Sequence, residues 1–167
     1  MQNSQSFELV KVPYQEGVYV SVLQEPEVSD DEFNTKEATF FKEFGSGYEK
    51  IGFIRYREET SSRTKDNLLD MACSYCESAL EAINNCTVHF FEEGDIYIEE
   101  VRVCETQRGK GFGKMILNWI SNISEKTNVI FLTVEYSDDG LFYFYEKNIV
   151  GYIIDGIKER TITFVKQ

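Results

Sequence analysis

The sequence has little of what metal centres, disulfide frameworks and membrane spans require. His89 is the one histidine among 167 residues, so no paired histidines complete a zinc site. The four cysteines show no framework spacing; Cys73 and Cys76 form a CxxC pair, but within a helical pattern that favours free thiols. No apolar run approaches the roughly 20 residues of a membrane-spanning helix. Residues 1–6 lack the charged start and apolar segment of a signal peptide, so we expect a cytoplasmic protein with no metal and no membrane partner.

Positive charge is also scarce. The chain has 17 Lys and Arg against 29 Asp and Glu, a net charge of −12 at pH 7. This balance argues against nucleic acid as a partner. It is compatible with a cationic small substrate drawn by the field of the protein, and equally with acidity that only keeps the protein soluble. The length and the hydrophobic content of 42% suit a single domain over residues 1–167.

Hydrophobic periodicity predicts a mixed α/β (α+β) domain. Alternating or continuous apolar runs predict strands at 7–12, 18–23, 38–44, 49–58, 96–103, 129–134, 151–155 and 160–166. Apolar residues at spacings of three and four predict helices at 66–84, 113–121 and 141–147. Gly45 and Gly47 predict a hairpin between the third and fourth strands, because glycine tolerates positive φ. Residues 24–32 are predicted as an acidic loop.

A glycine-rich turn between a strand and a helix carries the clearest chemistry: Gln107-Arg108-Gly109-Lys110-Gly111-Phe112-Gly113-Lys114. Three glycines at alternate positions remove side chains that would keep a ligand from the backbone. The helix that follows presents unpaired N–H groups and a partial positive charge. The segment therefore predicts a diphosphate site, with Arg108 and Lys110 adding charge. It fits neither the P-loop pattern GxxxxGK[ST] nor the dinucleotide fingerprint GxGxxG.

Residues 96–113, IYIEEVRVCETQRGKGFG, resemble the signature of the GNAT superfamily of acyl-CoA-dependent N-acyltransferases. Its core pattern, [Q/R]-x-x-G-x-[G/A], is matched by Arg108, Gly111 and Gly113. The resemblance implies the GNAT fold: a mixed, mostly antiparallel sheet with a parallel, splayed strand pair, flanked by helices. It also implies acetyl-CoA as the acyl donor, held between strand 96–103 and strand 129–134. The predicted coenzyme contacts are Val101, Arg102, Val103, Arg108, Gly109, Lys110, Gly111, Phe112, Gly113, Lys114 and Asp138.

Acetyl transfer to an amine requires a group that removes the proton of the ammonium form. Glu99 is the predicted base, since strand alternation places it on the same face as Tyr97, Val101 and Val103. The run 97–103 is also similar to the Y-L-E-D-x-x-V segment of spermidine/spermine-type small-amine acetyltransferases, whose first carboxylate is the proposed base. Two alternatives stay open. Glu99 is a rim residue in a salt bridge, with Arg102 as a candidate partner; or Glu100, expected to face the opposite way and to orient Arg102, is the base.

The segment Phe144-Tyr145-Glu146-Lys147 resembles the F-Y-E-K segment of the same family. The resemblance implies that Tyr145 protonates the departing thiolate; the alternative is a core aromatic. Asp138 stands seven residues before the tyrosine, where the family commonly has an asparagine. Thr133 and Glu135 are candidate residues of the acceptor pocket. Because transfer is expected to be direct, Cys104 is not expected to act as a nucleophile.

The acceptor is the least determined part of this prediction, because the N-terminal half matches the family only loosely. The favoured acceptor is a small cationic amine, such as a polyamine or an aminoglycoside-like compound; a protein amine is an alternative. A non-catalytic acyl-CoA-binding or acidic interaction protein is the second class. A homodimer remains open.

Overall fold

The computed structural model describes residues 8–24, 33–59, 63–64, 90–123, 127–133, 139–158 and 161–166. Eight strands of this part of the chain form one sheet in the order β1-β2-β3-β4-β7-β8-β10-β9. Their bounds are β1 Val10–Lys11, β2 Val18–Gln24, β3 Phe33–Phe44, β4 Gly47–Glu59, β7 Ile96–Val103, β8 Val129–Thr133, β9 Tyr152–Lys158 and β10 Thr161–Lys166. The strands β5 Arg63–Thr64 and β6 Phe90–Phe91 form a separate antiparallel pair.

Helical structure among the described residues follows β7 and β8. A 3-10 helix at Glu105–Gln107 leads into helix α1, Phe112–Ser121, and helix α2 covers Asp139–Asn148. None of the described helices combines the length and the apolar character that crossing a bilayer demands. The predicted helix at 66–84, the acidic residues 25–32, and Cys73, Cys76, Cys86 and His89 lie outside the described residues.

Strand β7 lies in the middle of the sheet and joins two different kinds of neighbour. It pairs with β4 in the antiparallel direction and with β8 in the parallel direction. Within the described residues the pairing with β8 runs from Ile96 to Ile98, opposite Ile130 to Leu132. The pairing with β4 continues to Val103. The second half of β7 therefore has β4 as its described strand neighbour.

Helix α1 covers one face of the sheet. Trp119 packs edge-to-face on Phe40 of β3 and Tyr56 of β4, with ring centroids 5.2 Å and 6.3 Å away. Ile116 and Ile120, spaced for one helix face, are fully buried in the same cluster. This apolar stripe fixes α1 against β3 and β4, and the turn before α1 is thereby held at the end of β7.

Buried polar contacts join the start of β7 to the start of β8. Asp95 is 1% exposed and accepts hydrogen bonds from the backbone N–H groups of Glu92, at 2.8 Å, and Asn128, at 2.9 Å. The hydroxyl of Thr127 donates to the carbonyl of Gly94 at 2.8 Å. A buried carboxylate needs such partners, because burial without them is costly. The two strands are thus tied together at the end of β7 opposite the glycine turn.

Most of the predicted elements are confirmed. The strand at 96–103 has the predicted bounds, the hairpin between β3 and β4 turns at Gly45 with φ of +59°, and α1 begins one residue earlier than predicted. The predicted first strand, 7–12, is reduced to Val10–Lys11 among the described residues.

Candidate active site

The turn between β7 and α1 depends on glycine at two positions for backbone conformation. Gly109 and Gly111 have φ of +74° and +83°, and a Cβ added at either would meet no atom within 4 Å. Space is therefore not the constraint there; the left-handed conformation is, because it is unfavourable for residues that carry a Cβ. Gly111 is the N-cap of α1 and provides no side-chain cap. The first N–H groups of the helix consequently have no capping side chain, as an anion-binding helix start requires.

The third glycine of the turn has a different role. A Cβ at Gly113 would lie 2.9 Å from Cζ of Phe144 in α2. The missing side chain of Gly113 therefore lets α2 approach α1, a packing role that was not predicted for this glycine. Phe112 packs its side chain against the core, which leaves its backbone as the part that belongs to the turn.

Two of the three cations in the segment 107–114, Arg108 and Lys110, are bound to groups of the protein. Arg108 Nε donates to the carbonyl of Val103 at 3.3 Å. Lys110 Nζ donates to the carbonyl of Thr106 at 2.7 Å and to Oε1 of Gln107 at 3.2 Å. Arg108 and Lys110 are exposed, so either could also reach a ligand at the turn.

Two residues of β7 turn their backbone groups away from β4. Cys104 N donates to the carbonyl of Ile51 at 2.8 Å, while Val103 lies opposite Gly52. This pattern defines Val103 and Gly52 as a pair that exchanges no hydrogen bonds, and in an antiparallel ladder such pairs alternate. Val101 is the next such residue. The N–H and C=O groups of Val101 and Val103 therefore face the β8 side, whereas those of Arg102 face β4.

A β-bulge lies in the middle of β7. Arg55 of β4 is opposite Glu100, but the next residue, Tyr56, is opposite Ile98, so Glu99 is an extra residue on β7. A bulge reverses the alternation of side chains beyond it. Ile96 and Ile98 belong to the core before the bulge, and Val101 and Val103 pack on the same core after it.

This bulge corrects the predicted placement of the two carboxylates. Tyr97 lies opposite Arg57 and therefore shares the face of Glu99, as predicted. Val101 and Val103 lie on the other face, so the prediction is wrong for these two residues. Glu99 forms an ion pair with Arg57, and Glu100 lies 3.8 Å from Arg55. Since Arg55 and Arg57 are two residues apart on one strand, they share a face. Both carboxylates therefore lie on this arginine face, which is opposite α1.

Ion pairs link the side chains of the arginine face. Arg55 also donates to Glu37 of β3 at 2.9 Å, and Arg102 pairs with Glu100 at 2.6 Å. The predicted contact between Glu100 and Arg102 is confirmed, whereas the salt-bridge partner of Glu99 is Arg57 and not Arg102. The Glu99 and Arg57 side chains are 20% and 25% exposed, so their pair is shielded from water more than a surface pair. Both carboxylates are thus held in place by charged neighbours.

Tyr145 lies on α2 and packs against the core cluster. Burial raises the pKa of its phenol above the ordinary value of 10.0. The phenol consequently remains protonated near neutral pH and retains a proton to donate.

Gly52 was not among the predicted site residues. A Cβ there would lie 2.2 Å from the carbonyl oxygen of Arg102 and 3.0 Å from Cα of Val103. A glycine inside an apolar strand is a known sign of close backbone approach, and this signal was present in the sequence. Gly52 lets β4 approach β7 closely at Val103, whose carbonyl accepts the hydrogen bond from Arg108.

Asp138 and Glu135 lie outside the described residues, and of Thr133 only the backbone, at the end of β8, is described. Cys104 is a partly buried free thiol beside the turn. No group of three or more His, Cys, Asp or Glu side chains in the described part of the chain is arranged to hold a metal ion.

A cavity of about 690 Å³ lies at the other end of α1. Its lining includes Tyr14, Asn118, Trp119 and Val150 and none of the residues of the glycine turn. It is therefore separate from the site built around β7.

The sequence matches the family model described as Acetyltransferase (GNAT) family over residues 8–152. The chain therefore belongs to the GNAT acetyltransferase family and is an acetyl-CoA-dependent N-acetyltransferase. Acetyl-CoA is its acyl donor, and the residues present fit this group: a helix start without a capping side chain and a β7 edge with two outward-facing backbone pairs. The sequence matches none of the curated proteins.

Solved structures with similar folds are distant in sequence. The AtaT toxin, a Tyr-to-Phe mutant bound to the C-terminus of the antitoxin AtaR and acetyl-CoA, has a TM-score of 0.50 at 8% identity, over 90% of this chain and 94% of its own. Tetrahymena GCN5 has a TM-score of 0.42 at 10% identity, over 78% and 68%. Arabidopsis thaliana Naa50 with the bisubstrate analogue CoA-Ac-MVNAL has 0.41 at 22% identity, over 80% and 71%. Such distant likenesses concern the fold and do not identify the acceptor.

Proposed function

We propose that this protein transfers the acetyl group directly to a primary amine, with Glu99 as the general base and Tyr145 as the general acid. The observation that carries the proposal is the bulge at Glu99. It places a partly buried carboxylate at the point of β7 where the described pairing with β8 ends. A base is needed there because an ammonium group cannot attack a carbonyl carbon until it loses a proton.

We propose that the coenzyme lies along the β8-facing edge of β7 and ends at the glycine turn. The backbone groups of Val101 and Val103 face this edge and can pair with the amides of an extended arm. The N–H groups at the start of α1, from Gly111 onward, can receive the diphosphate. In this proposal β7 and β8 splay apart beyond Ile98, which makes room for the arm between them.

Acetyl-CoA supplies a thioester carbonyl and a thiolate leaving group. Glu99 accepts the proton of the amine, directly or through one water, while Arg57 holds the carboxylate in position. The new C–N bond forms as the C–S bond breaks, and Tyr145 donates its proton to the sulfur. The nitrogen then carries one proton more than an amide holds, and it releases this proton through solvent to the tyrosinate, which restores Tyr145. The raised pKa of Tyr145 supports its role as the acid, because an ionised phenol would have no proton to give.

We propose a small cationic amine as the acceptor. The net charge of −12 supports this choice, since the field of an acidic protein attracts cations from a distance. The arginine face itself contributes little to this attraction. Three of its carboxylates, Glu37, Glu99 and Glu100, are paired with Arg55, Arg57 and Arg102.

The test is thiol release from acetyl-CoA with a panel of amines: spermidine, spermine, an aminoglycoside, a peptide with a free N-terminus and a lysine-containing peptide. We expect turnover with at least one of the small amines. Turnover on the peptides alone would contradict the small-amine acceptor. Coenzyme binding without turnover on any amine would favour the non-catalytic class instead.

The same assay tests the base. Glu99→Gln is expected to lower turnover about 100-fold or more, since a positioned base typically contributes 10²–10⁴. Glu100→Gln, the matched control on the next residue, is expected to lower it less than about fivefold, because Glu100 serves mainly its arginine partners. The reverse order would assign the base to Glu100.

A further inference from the structure

We propose that Gln107 is a positioning residue for the coenzyme, because it ties the glycine turn to Glu49 of β4. The inference rests on the proposed binding of the diphosphate at that turn. Gln107 is outside the residues assigned to the coenzyme above, and its side chain reaches away from the turn toward the sheet. It is 2% exposed, although the residues that follow it are exposed.

The contacts of Gln107 run from the sheet to the turn. Its Nε2 donates to Oε1 of Glu49 at 2.6 Å, across 58 residues of sequence. Its Oε1 accepts from Nζ of Lys110 at 3.2 Å, and its backbone N–H donates to the carbonyl of Cys104 at 2.8 Å. Lys110 also donates to the carbonyl of Thr106 at 2.7 Å. Lys110, which follows Gly109, is therefore bound to two residues that precede Gly109 in the sequence.

The orientation of the Gln107 amide follows from its partners. A carboxylate can only accept hydrogen bonds and an ammonium group can only donate them. The NH₂ group must therefore point to Glu49 and the carbonyl oxygen to Lys110. If residue 49 lost its acceptor oxygen, a buried amide donor of Gln107 would be left without this partner, which is unfavourable. The amide would then turn or move, and the contact to Lys110 would change with it.

The turn needs such a tether because glycine leaves its backbone free. Gly109 and Gly111 permit the left-handed conformation but do not enforce it, so each also allows many alternatives before a ligand binds. Ordering them on binding would weaken affinity, and holding them beforehand avoids that loss. Gln107 provides this hold from one side of Gly109 through Lys110 on the other. The N–H groups of the turn are thereby arranged before the diphosphate arrives.

The experiment measures the Kd of acetyl-CoA by isothermal titration calorimetry, with the unfolding temperature of each free variant recorded. Gln107→Met removes the donor and Glu49→Met removes the acceptor of the hydrogen bond that joins the turn to β4. Glu49→Gln keeps an oxygen acceptor and is the conservative variant. Glu105→Met removes an exposed carboxylate from the same 3-10 helix and is the matched control for charge.

We expect Gln107→Met and Glu49→Met each to weaken acetyl-CoA binding about 5- to 10-fold, the effect of roughly one hydrogen bond. Glu49→Gln and Glu105→Met are expected to stay within about twofold of the wild type. Charge alone predicts the opposite for Glu49→Met, because removing an anion near a diphosphate site would tighten binding. Equal or tighter binding in Glu49→Met would therefore overturn the inference.

Lys110→Met separates positioning from general damage. The double variant combines Gln107→Met with Lys110→Met. If Gln107 acts through Lys110, this variant should bind acetyl-CoA about as weakly as Lys110→Met alone, because both changes break one chain of contacts. Additive losses would overturn the inference. Gly111→Ala shows which idea has failed: if it binds acetyl-CoA like the wild type, the proposed diphosphate site is wrong, and if it alone weakens binding, only the role of Gln107 is wrong.

Discussion

The glycine turn after β7 and the bulged middle of β7 are the two parts of the proposed site, but different interactions hold them in place. The turn is arranged mainly by local means: two left-handed glycines, a helix start and hydrogen bonds between residues three to five apart. The bulge depends on β4, through a register shift and an ion pair between Arg57 and Glu99, 42 residues apart. The proposed coenzyme half of the site is therefore built mostly from nearby residues, with the hydrogen bond from Gln107 to Glu49 as its link to β4, and the proposed catalytic half is built from strand pairing.

Gly52→Ala is expected to have the largest effect, because it disturbs both regions. Its Cβ would meet the backbone of Arg102 at 2.2 Å, and backbone cannot swing aside as a side chain can. We expect the free energy of unfolding to fall by about 3 kcal/mol, at the upper end of overpacking effects. Urea unfolding would measure this. Gly47→Ala, on the same strand with nothing within 4 Å of the added Cβ, is the control and should change stability by less than about 1 kcal/mol.

Tyr145→Phe tests whether the catalytic half includes α2. As the proposed acid, Tyr145 should contribute about 100-fold to kcat, at the lower end for proton transfer by a positioned side chain. The Kd of acetyl-CoA should change by less than about threefold, because the ring and its packing remain. Steady-state kinetics and calorimetry measure the two quantities. An unchanged kcat would identify Tyr145 as a core aromatic only.

A comparison of Gly111→Ala with Gly113→Ala sharpens the account of the turn. At Gly111 the cost is conformational, about 1–2 kcal/mol for a Cβ at positive φ, and we expect acetyl-CoA to bind about tenfold more weakly. At Gly113 the added Cβ displaces the ring of Phe144, which lowers stability. Alanine favours the helix over glycine by about 1 kcal/mol, and this gain offsets part of the loss. Binding should then change by less than about threefold. Equal losses of affinity in both variants would contradict separate roles for these glycines.

Alkaline pH should have the smallest effect. Burial raises the pKa of Tyr56 and Tyr145 in the folded protein above the ordinary value of 10.0. Their contribution to stability is therefore complete below about pH 10 and is lost as pH rises towards the folded pKa. At pH 10.5 each of these tyrosines should lower the free energy of unfolding by up to about 1 kcal/mol.

Urea unfolding at pH 8.5 and 10.5 measures this loss. Tyr56→Phe and Tyr145→Phe should each reduce the difference between the two pH values. Tyr14→Phe should leave it unchanged, because the side chain of Tyr14 is fully exposed. A pH dependence that no buried tyrosine alters would rule out this origin.

The sequence predicted those parts of the site whose structure is local. The strand at 96–103, the start of α1 and the turn between them follow from hydrophobic period and glycine spacing, and both are properties of contiguous residues. Arg108 and Lys110 were correctly placed in the turn. Their hydrogen bonds to Val103, Thr106 and Gln107 were not predicted, because they depend on how the turn folds back on itself.

The predictions that were wrong assumed that side chains alternate between the two faces of the sheet without interruption along β7. The residue types at 97–103 do not indicate that Glu99 is an extra residue relative to β4, because a bulge depends on how two strands pair. The contact from Gln107 to Glu49 was not predicted for the same reason, and Gly52 was not predicted although a glycine inside an apolar strand indicates close backbone approach. Each links β4 to a segment about 50 or more residues away.

The sequence by itself determined the family and the coenzyme, and it located the glycine turn before α1. Glycine conformation and a helix start are local, and they survive in any fold that places a strand before them. Only the tertiary structure decided that Glu99 and Glu100 share the arginine face and that Gly113 serves the packing of Phe144. The face of a strand residue depends on its register with a neighbour, and register is settled only when the strands pair.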